Sequence, residues 1–239
     1  MEEFQRGQGA VRYASSATVT KVLNKVFVWM FAGLIITAIT SYVTLQNIGN
    51  IVQIAGGNIF FIAAIFEIVV VIALSALSSK MSPMVAQLCF IFYAALNGFT
   101  LSTMFLAYEI GVVTTAFLGA AAMFGAMAIY GAVSKKDLST YGSVGIMLLI
   151  GIMVATLLNI LIFKSSGFDL FLLYAGLAAF AGLTAYDMQN VKQLSASIEG
   201  SADAKLINRV VIMSALNLYL DFINIFIRLV SILGRRSRD

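Results

Sequence analysis

The sequence lacks histidine and is poor in three other kinds of residue. Its 239 residues include no His, one Cys and one Pro, and only 11% of them are Asp, Glu, Lys or Arg. Without His, a His-ligated zinc site and a Ser-His-Asp triad are excluded. A single Cys excludes an internal disulfide and Cys-rich metal frameworks. Soluble domains carry about 25% charged residues, so this sequence is not that of an ordinary soluble domain.

Apolar residues take the place of the missing charge. They make up 61% of the sequence, and the mean hydropathy is +0.97. A helix that crosses a bilayer needs about 20 consecutive apolar residues, and seven segments meet this requirement. These segments are residues 26–45, 59–77, 84–108, 112–133, 142–163, 168–188 and 210–233. The pattern predicts an all-α membrane protein, a bundle of seven transmembrane helices.

The polar ends of the sequence flank this predicted membrane domain. Residues 1–25 are predicted to be a mobile polar tail, residues 26–233 the transmembrane domain, and residues 234–239 a short basic tail. The first apolar segment is longer than the core of a signal peptide, so it is interpreted as a retained span.

The net charge of +4 is distributed as a topology signal. Lys and Arg occur singly or in pairs at the ends of apolar segments, which predicts the lipid bilayer as a partner and no nucleic acid. With the N-terminus inside, ten of them lie on the inner side and four on the outer side. This predicts a cytoplasmic N-terminus. The Arg-rich C-terminus then lies outside, unless the last segment is re-entrant and returns inward.

Three acidic residues lie well inside apolar segments, or near their ends without flanking polar residues. They are Glu67 in the second segment, Asp187 near the end of the sixth, and Asp221 in the seventh. A carboxylate at the bilayer centre costs about 2.5–3.5 kcal/mol on insertion scales. Each must therefore face the interior of the bundle, be protonated, pair with another group or contact water.

The seventh segment has one polar stripe. Asn217, Asp221, Asn224 and Arg228 follow the spacing i, i+4, i+7 and i+11, so they share one face of a helix. Such a helix does not face lipid, which favours a central position for the last helix. The stripe is either a network that locks helices together or part of a water-accessible ion or proton pathway. Glu67 is expected to find its polar partners mainly on this stripe. It is either a neutral hydrogen-bonding group or an ionised part of the cation pathway, and the second role is the one predicted.

Asp187 and Asp221 are expected at different depths. They can meet only if the sixth helix continues beyond Met188 or the seventh begins deeper in the membrane. Two adjacent carboxylates in a medium of low dielectric do not both ionise cheaply, so such a pair shares a proton. The protonated pair would hold two helices together. The deprotonated pair would repel itself and offer a weak transit site for Ca²⁺, which binds hard oxygen ligands.

Enzymatic functions find little support in the sequence. Paired intramembrane aspartates occur in intramembrane aspartyl proteases, but Asp221 follows Leu218-Tyr219-Leu220 and not a Gly-x-Gly turn. No phosphate-binding Walker loop or dinucleotide fingerprint is present. We therefore expect no enzyme activity and no cofactor.

Two motifs carry a family resemblance. The sixth segment ends in Gly182-Leu-Thr-Ala-Tyr-Asp187, and the seventh contains Leu218-Tyr-Leu-Asp221-Phe-Ile-Asn224-Ile-Phe. Further matches are Asn97-Gly-Phe-Thr-Leu-Ser102, Met123-Phe-Gly-Ala-Met127, Tyr130-Gly131 and Lys136-Asp137-Leu138-Ser139. The sequence resembles the Bax inhibitor family of membrane proteins, and its bacterial YccA-like branch in particular.

The resemblance implies a fold and two candidate functions. The fold is a seven-helix bundle whose last helix is central and wrapped by the other six. The first function is a pH-sensitive Ca²⁺ leak in the bacterial inner membrane, with Asp187 and Asp221 as the sensor. The second is an interaction with a membrane-bound ATP-dependent protease, for which residues 1–25 would serve as the handle.

The resemblance also implies roles for residues of the second span. Glu67 matches the family's intramembrane acid. Ser78 stands where family members place an Arg that can pair with the sensor, and Lys80 follows two residues later. Ser78 and Lys80 are therefore possible partners of the sensor in the closed state, and Arg228 is an alternative from the other side.

Overall fold

The computed structural model describes residues 16–77, 81–199 and 203–236. Within these ranges the chain is helical, without a strand. The helices are α1 (Ser16–Gln46), α2 (Ile48–Ala55), α3 (Ile59–Leu77), α4 (Pro83–Ala107), α5 (Ile110–Val133), α6 (Ser139–Leu158), α7 (Ser166–Ser197) and α8 (Ala204–Arg236). A π-helical turn, Asn159–Phe163, extends α6.

Six of these helices are long and apolar enough to cross a membrane by themselves: α1, α4, α5, α6 with its π-helical turn, α7 and α8. The pair formed by α2 and α3 brings the number to seven if it is counted as one span, bent by 88°. The bend contains Gly56, whose φ of 80° is readily adopted only by glycine. The prediction of an all-α bundle with about seven spans is confirmed.

Polar side chains define the ends of several helices. Ser82 accepts a hydrogen bond from the amide of Val85 (3.4 Å) at the start of α4, where Pro83 occupies the first turn. Asn159 and Ser165 bond reciprocally across the turn from α6 to α7: the Asn159 amide donates to the Ser165 carbonyl (3.1 Å) and accepts from its N–H (3.0 Å). These contacts satisfy backbone groups that a helix end leaves unpaired.

The last helix is central, as the sequence predicts. In its most apolar 18-residue segment α8 has 67% of residues buried, against 11% for α6. It packs against α1, α4, α5 and α7. The expectation that all six other spans wrap it is wrong, because α3 packs chiefly on α4 and α6 packs on α7. Of the seven candidate spans in the described structure, five therefore form an inner group, and those of α3 and α6 lie outside it.

Three predicted boundaries differ from the structure. The stretch between the predicted segments 168–188 and 210–233 is mostly helical, because α7 continues to Ser197 and α8 begins at Ala204. Val191 and Ser195 are buried, which anchors this extension of α7. The predicted tail 1–25 overlaps the start of α1 at Ser16, and residues 1–15 lie outside the described ranges.

At the C-terminus, α8 runs without a break to Arg236, so the basic tail predicted to start at residue 234 begins within the helix. A continuous helix of 33 residues also rules out a re-entrant last span.

Candidate functional site

Asp187 and Asp221 are brought together between α7 and α8. The extension of α7 beyond Met188 removes the expected difference in depth. The two carboxyl groups are hydrogen-bonding neighbours, and Thr184 lies beside Asp221. Asp221 is only 4% exposed, and its Oδ2 has no hydrogen-bond partner within the described structure. A proton shared by the two carboxyl groups is the simplest way to satisfy such a buried pair.

A narrow cleft leads to this pair. Its volume is about 160 Å³, and it lies between the C-terminal half of α7 and the N-terminal half of α8. Asp187, Asn190, Ser214 and Asn217 supply the polar groups near the pair, and Arg209 lines the cleft closer to the loop between the helices. The volume accommodates several water molecules. The pair is therefore approached from the end of the bundle that holds the α7–α8 loop.

The other two residues of the stripe have different surroundings. Asn224 donates its side-chain amide to the Leu220 carbonyl of its own helix (2.8 Å). The Arg228 guanidinium lies over the ring of Phe180, with Cζ 5.2 Å from the centroid, in a notch where a methyl group on Gly176 would overlap it. Three of the four stripe residues thus face α7.

Arg228 is not the partner of the carboxyl pair in this structure. Its contacts are with Phe180 and Gly176, about two helical turns from Asp221. Over the described ranges the one ion pair joins Arg235 to Asp169. The other two candidates for this role, Ser78 and Lys80, lie outside the described residues.

Glu67 has its partners on α4. Asn97 donates its side-chain amide to Oε1, and the Thr100 hydroxyl donates to Oε2 (2.8 Å). Tyr93 of α4 is a further neighbour of the Glu67 carboxylate. The expectation that Glu67 contacts mainly the stripe of the last helix is wrong, because α3 packs against α4 and not against α8.

Tyr219 is a buried polar residue that sequence reasoning did not single out. Its ring is fully buried and packs edge-to-face on Phe90 (5.5 Å) and Tyr93 (6.1 Å). Its hydroxyl lies 2.7 Å from the Thr37 hydroxyl of α1. It belongs to the same motif as Asp221 but faces α1 and α4, whereas Asp221 faces α7. The sequence signal that could have identified Tyr219 is its position two residues before the intramembrane Asp221.

The family follows from comparison with known sequences. The sequence model of the family described as "Inhibitor of apoptosis-promoting Bax1" matches residues 19–238. The chain belongs to the Bax inhibitor family. This match covers α1 from residue 19 onward and all of the later helices, including the two that carry the carboxyl pair.

Several bacterial proteins are similar over nearly their whole length. Inner membrane protein YbhL of Escherichia coli K12 is 36% identical over 237 residues, which cover 99% of this chain and all of the relative. A protein of Deinococcus radiodurans is 39% identical over 221 residues, 92% of each chain. A protein of Borreliella burgdorferi is 38% identical over 220 residues, 92% of this chain and 94% of the relative. The name of the first relative agrees with the multi-pass membrane bundle found here.

Proposed function

We propose that this member of the Bax inhibitor family is a pH-sensitive leak pathway for Ca²⁺ in the bacterial inner membrane, gated by Asp187 and Asp221. The observation that carries the proposal is the position of the pair. Asp187 of α7 lines the cleft, and its neighbour Asp221 is buried beside it on α8. A change in their shared protonation therefore acts directly on the contact between α7 and α8.

The closed state is the one in which the carboxyl groups share a proton. A hydrogen bond between them then holds α7 against α8, and the pair buries one negative charge instead of two. Beyond the pair the path is filled by apolar packing: the Phe222 ring packs on Phe117 (5.5 Å) and Phe124 (5.7 Å). Asp221 is almost inaccessible in this arrangement, as a closed gate requires.

Loss of the shared proton opens the pathway. Two carboxylates in contact repel each other, which weakens the packing of α7 on α8. Their oxygens, together with those of Asn190, Ser214 and Asn217 along the cleft, are the hard ligands that Ca²⁺ prefers. No cluster of three or more His, Cys, Asp or Glu side chains occurs in the described part of the chain. The site thus suits transit better than tight storage.

The distribution of basic residues supports an orientation. Lys21, Lys25, Lys135, Lys136 and Lys205 all lie at the end of the bundle where the cleft begins, whereas Lys164 and Arg235 lie at the other. By the positive-inside rule this end faces the cytoplasm. The cleft then samples cytoplasmic pH.

Calcium flux into proteoliposomes, measured against pH, tests the proposal. We expect the Ca²⁺ flux of the wild type to rise with pH. The variants Asp187→Asn and Asp221→Asn should lose most of this pH dependence, because the remaining carboxyl group has no second carboxyl group to share its proton with. Asp169→Asn is the matched control, because Asp169 lies at the opposite end of α7 and pairs with Arg235.

An unchanged flux–pH profile in both variants would contradict the gate. A wild type without flux at any pH would contradict the leak itself. That result would favour the interaction with a membrane-bound protease that residues 1–25 are predicted to serve.

A further inference from the structure

A second cleft, which is basic, lies at the same end of the bundle as the cleft that leads to Asp187 and Asp221, but on the other side of α7. Its volume is about 680 Å³, and it is bounded by the α5–α6 loop and the last turns of α7. Lys135, Lys136 and Asp137 line it from the loop, Gln189 and Lys192 line it from α7, and Glu199 lines it from the turn after α7. The loop contains the motif Lys136-Asp137-Leu138-Ser139, which has no part in the proposed gate.

The loop is held in place by side chains of α7. Gln189, only 7% exposed, accepts a hydrogen bond from the Leu138 amide (2.8 Å) and donates one to the Lys136 carbonyl (2.8 Å). The Lys192 ammonium donates to the carbonyl of Ala132 in the last turn of α5. The backbone that carries Lys135 and Lys136 is therefore fixed before any ligand binds.

The cleft favours an anion. Three lysines and two acids line it, and both acids already accept hydrogen bonds. The Asp137 carboxylate accepts from the Ser139 amide (2.9 Å), which lowers the pKa of Asp137, and Glu199 accepts from the Thr18 hydroxyl (3.3 Å). Lys135 and Lys136 are exposed and form no ion pair with any described residue.

The surface next to the cleft is apolar and suited to lipid. The outer face of α6 exposes Tyr141 (60%), Val144 (48%) and Met147 (70%). Tyr130, on α5 just before the loop, is also exposed. Tyrosines at the end of apolar helices are typical of the membrane–water interface. The lysines of the cleft therefore lie near the level of lipid headgroups, directly above a helix face that acyl chains cover.

We propose that this cleft binds the phosphodiester headgroup of an anionic phospholipid of the surrounding bilayer, with Lys135 and Lys136 supplying the charge and α6 the contact for the acyl chains. Free phosphate shares the headgroup's chemistry, but it cannot use the apolar face of α6. Gln189 and Lys192 lie two and five residues after Asp187 on α7. The bound lipid would thus contact the segment of α7 that also carries Asp187. The binding itself does not depend on the leak function.

Native mass spectrometry of the purified full chain in detergent tests the proposal. Phosphatidylglycerol and phosphatidylcholine with the same acyl chains are titrated in parallel. The wild type is expected to retain phosphatidylglycerol preferentially. The double variant Lys135→Gln/Lys136→Gln is expected to bind it about 30-fold more weakly, since each lysine near the surface contributes about 1 kcal/mol, with phosphatidylcholine binding unchanged. The double variant Lys135→Arg/Lys136→Arg, which keeps both charges, should restore the preference.

The matched control is Lys21→Gln/Lys205→Gln, which removes two exposed lysines from the same end of the bundle but outside the cleft. It is expected to bind phosphatidylglycerol like the wild type. An equal loss of phosphatidylglycerol binding in this control would show that the lysines act by general electrostatic attraction, and it would overturn the proposed site. Displacement of phosphatidylglycerol by millimolar inorganic phosphate would identify a soluble phosphate ligand and overturn the lipid. Unchanged binding after loss of Lys135 and Lys136 would contradict the proposal outright.

Discussion

At the scale of single residues, the bundle accommodates the acids of its apolar helices in two different ways. Glu67 is satisfied by side-chain donors of one neighbouring helix, so its carboxylate has a fixed environment. Asp221 has Asp187 as its neighbour and one oxygen without a partner. The first arrangement stabilises a helix contact in one state. The second changes from attraction to repulsion when a proton leaves, and so it is the one suited to gating.

Glu67 allows charge and hydrogen bonding to be separated. Glu67→Leu leaves the Asn97 side-chain amide without its acceptor and should destabilise the protein by about 1–3 kcal/mol, seen as earlier melting in detergent. Glu67→Gln keeps the shape and most hydrogen bonds, so its melting temperature should stay near that of the wild type. If the carboxylate is part of the cation pathway, as the sequence predicts, Glu67→Gln should cut Ca²⁺ flux several-fold. Equal flux in the two proteins would assign Glu67 a structural role only.

Arg228 is predicted to act on the gate only indirectly. Because its guanidinium packs over Phe180 and not on the carboxyl pair, Arg228→Leu should fold normally and shift the midpoint of the flux–pH profile modestly. Gly176→Ala, which overlaps the guanidinium, should lower the melting temperature. Combining the two changes should cost less stability than the sum of the single changes. Additive melting shifts would show that the notch at Gly176 does not position Arg228.

At the scale of helices, α7 links most of the features described here. It packs on α5, α6 and α8, and a methyl group at Gly131 of α5 would overlap the carbonyl of Ala185 on α7. Gln189 and Lys192 fasten the α5–α6 loop to the same helix. These contacts make α5, α6 and α7 a single packed unit. Movement at the carboxyl pair is therefore expected between this unit and α8.

Gln189 and Gln193 form a natural comparison on α7. Gln189→Leu leaves the Leu138 amide and the Lys136 carbonyl unpaired, so it should lower stability by about 1–3 kcal/mol and speed amide hydrogen exchange in the α5–α6 loop. Gln193 lines the same cleft but is exposed, so Gln193→Leu should change neither. Equal exchange in the two variants would show that the Gln189 bonds do not hold the loop.

At the scale of the whole molecule, the features predicted correctly from the sequence are those set by the bilayer. Its thickness determines the length of the apolar segments, and helical periodicity places Asn217 and Asp221 on one face. The partners of Glu67 were not predictable, because they depend on which helix packs beside α3. The end of α7, residues 191–197, was not predicted because it is polar and lies outside the apolar segment. The hydrogen bonds of Gln189 to the backbone of the α5–α6 loop were not predictable because they leave no pattern in the sequence.

The orientation proposed from the positive-inside rule places the α7–α8 loop in the cytoplasm and the α6–α7 turn outside. In a background with Cys89→Ser, a cysteine at Ser197 should react with an impermeant thiol reagent only from the cytoplasmic side. A cysteine at Gly167, at the other end of α7, should react only from the outside. The reverse pattern would contradict the orientation, and labelling of both from one side would contradict the crossing of α7.

The shared proton is the central claim, and infrared difference spectroscopy against pH tests it most directly. In lipid-reconstituted wild-type protein, a band of protonated carboxyl should disappear as the pH is raised, over the range in which Ca²⁺ flux increases. Subtracting the spectrum of the double variant Asp187→Asn/Asp221→Asn isolates the pair from Glu67 and the other acids. We predict that the band is lost in this variant and retained in Asp169→Asn. A band that is unchanged in the double variant, or no protonated carboxyl at the pH where flux is lowest, would contradict the account.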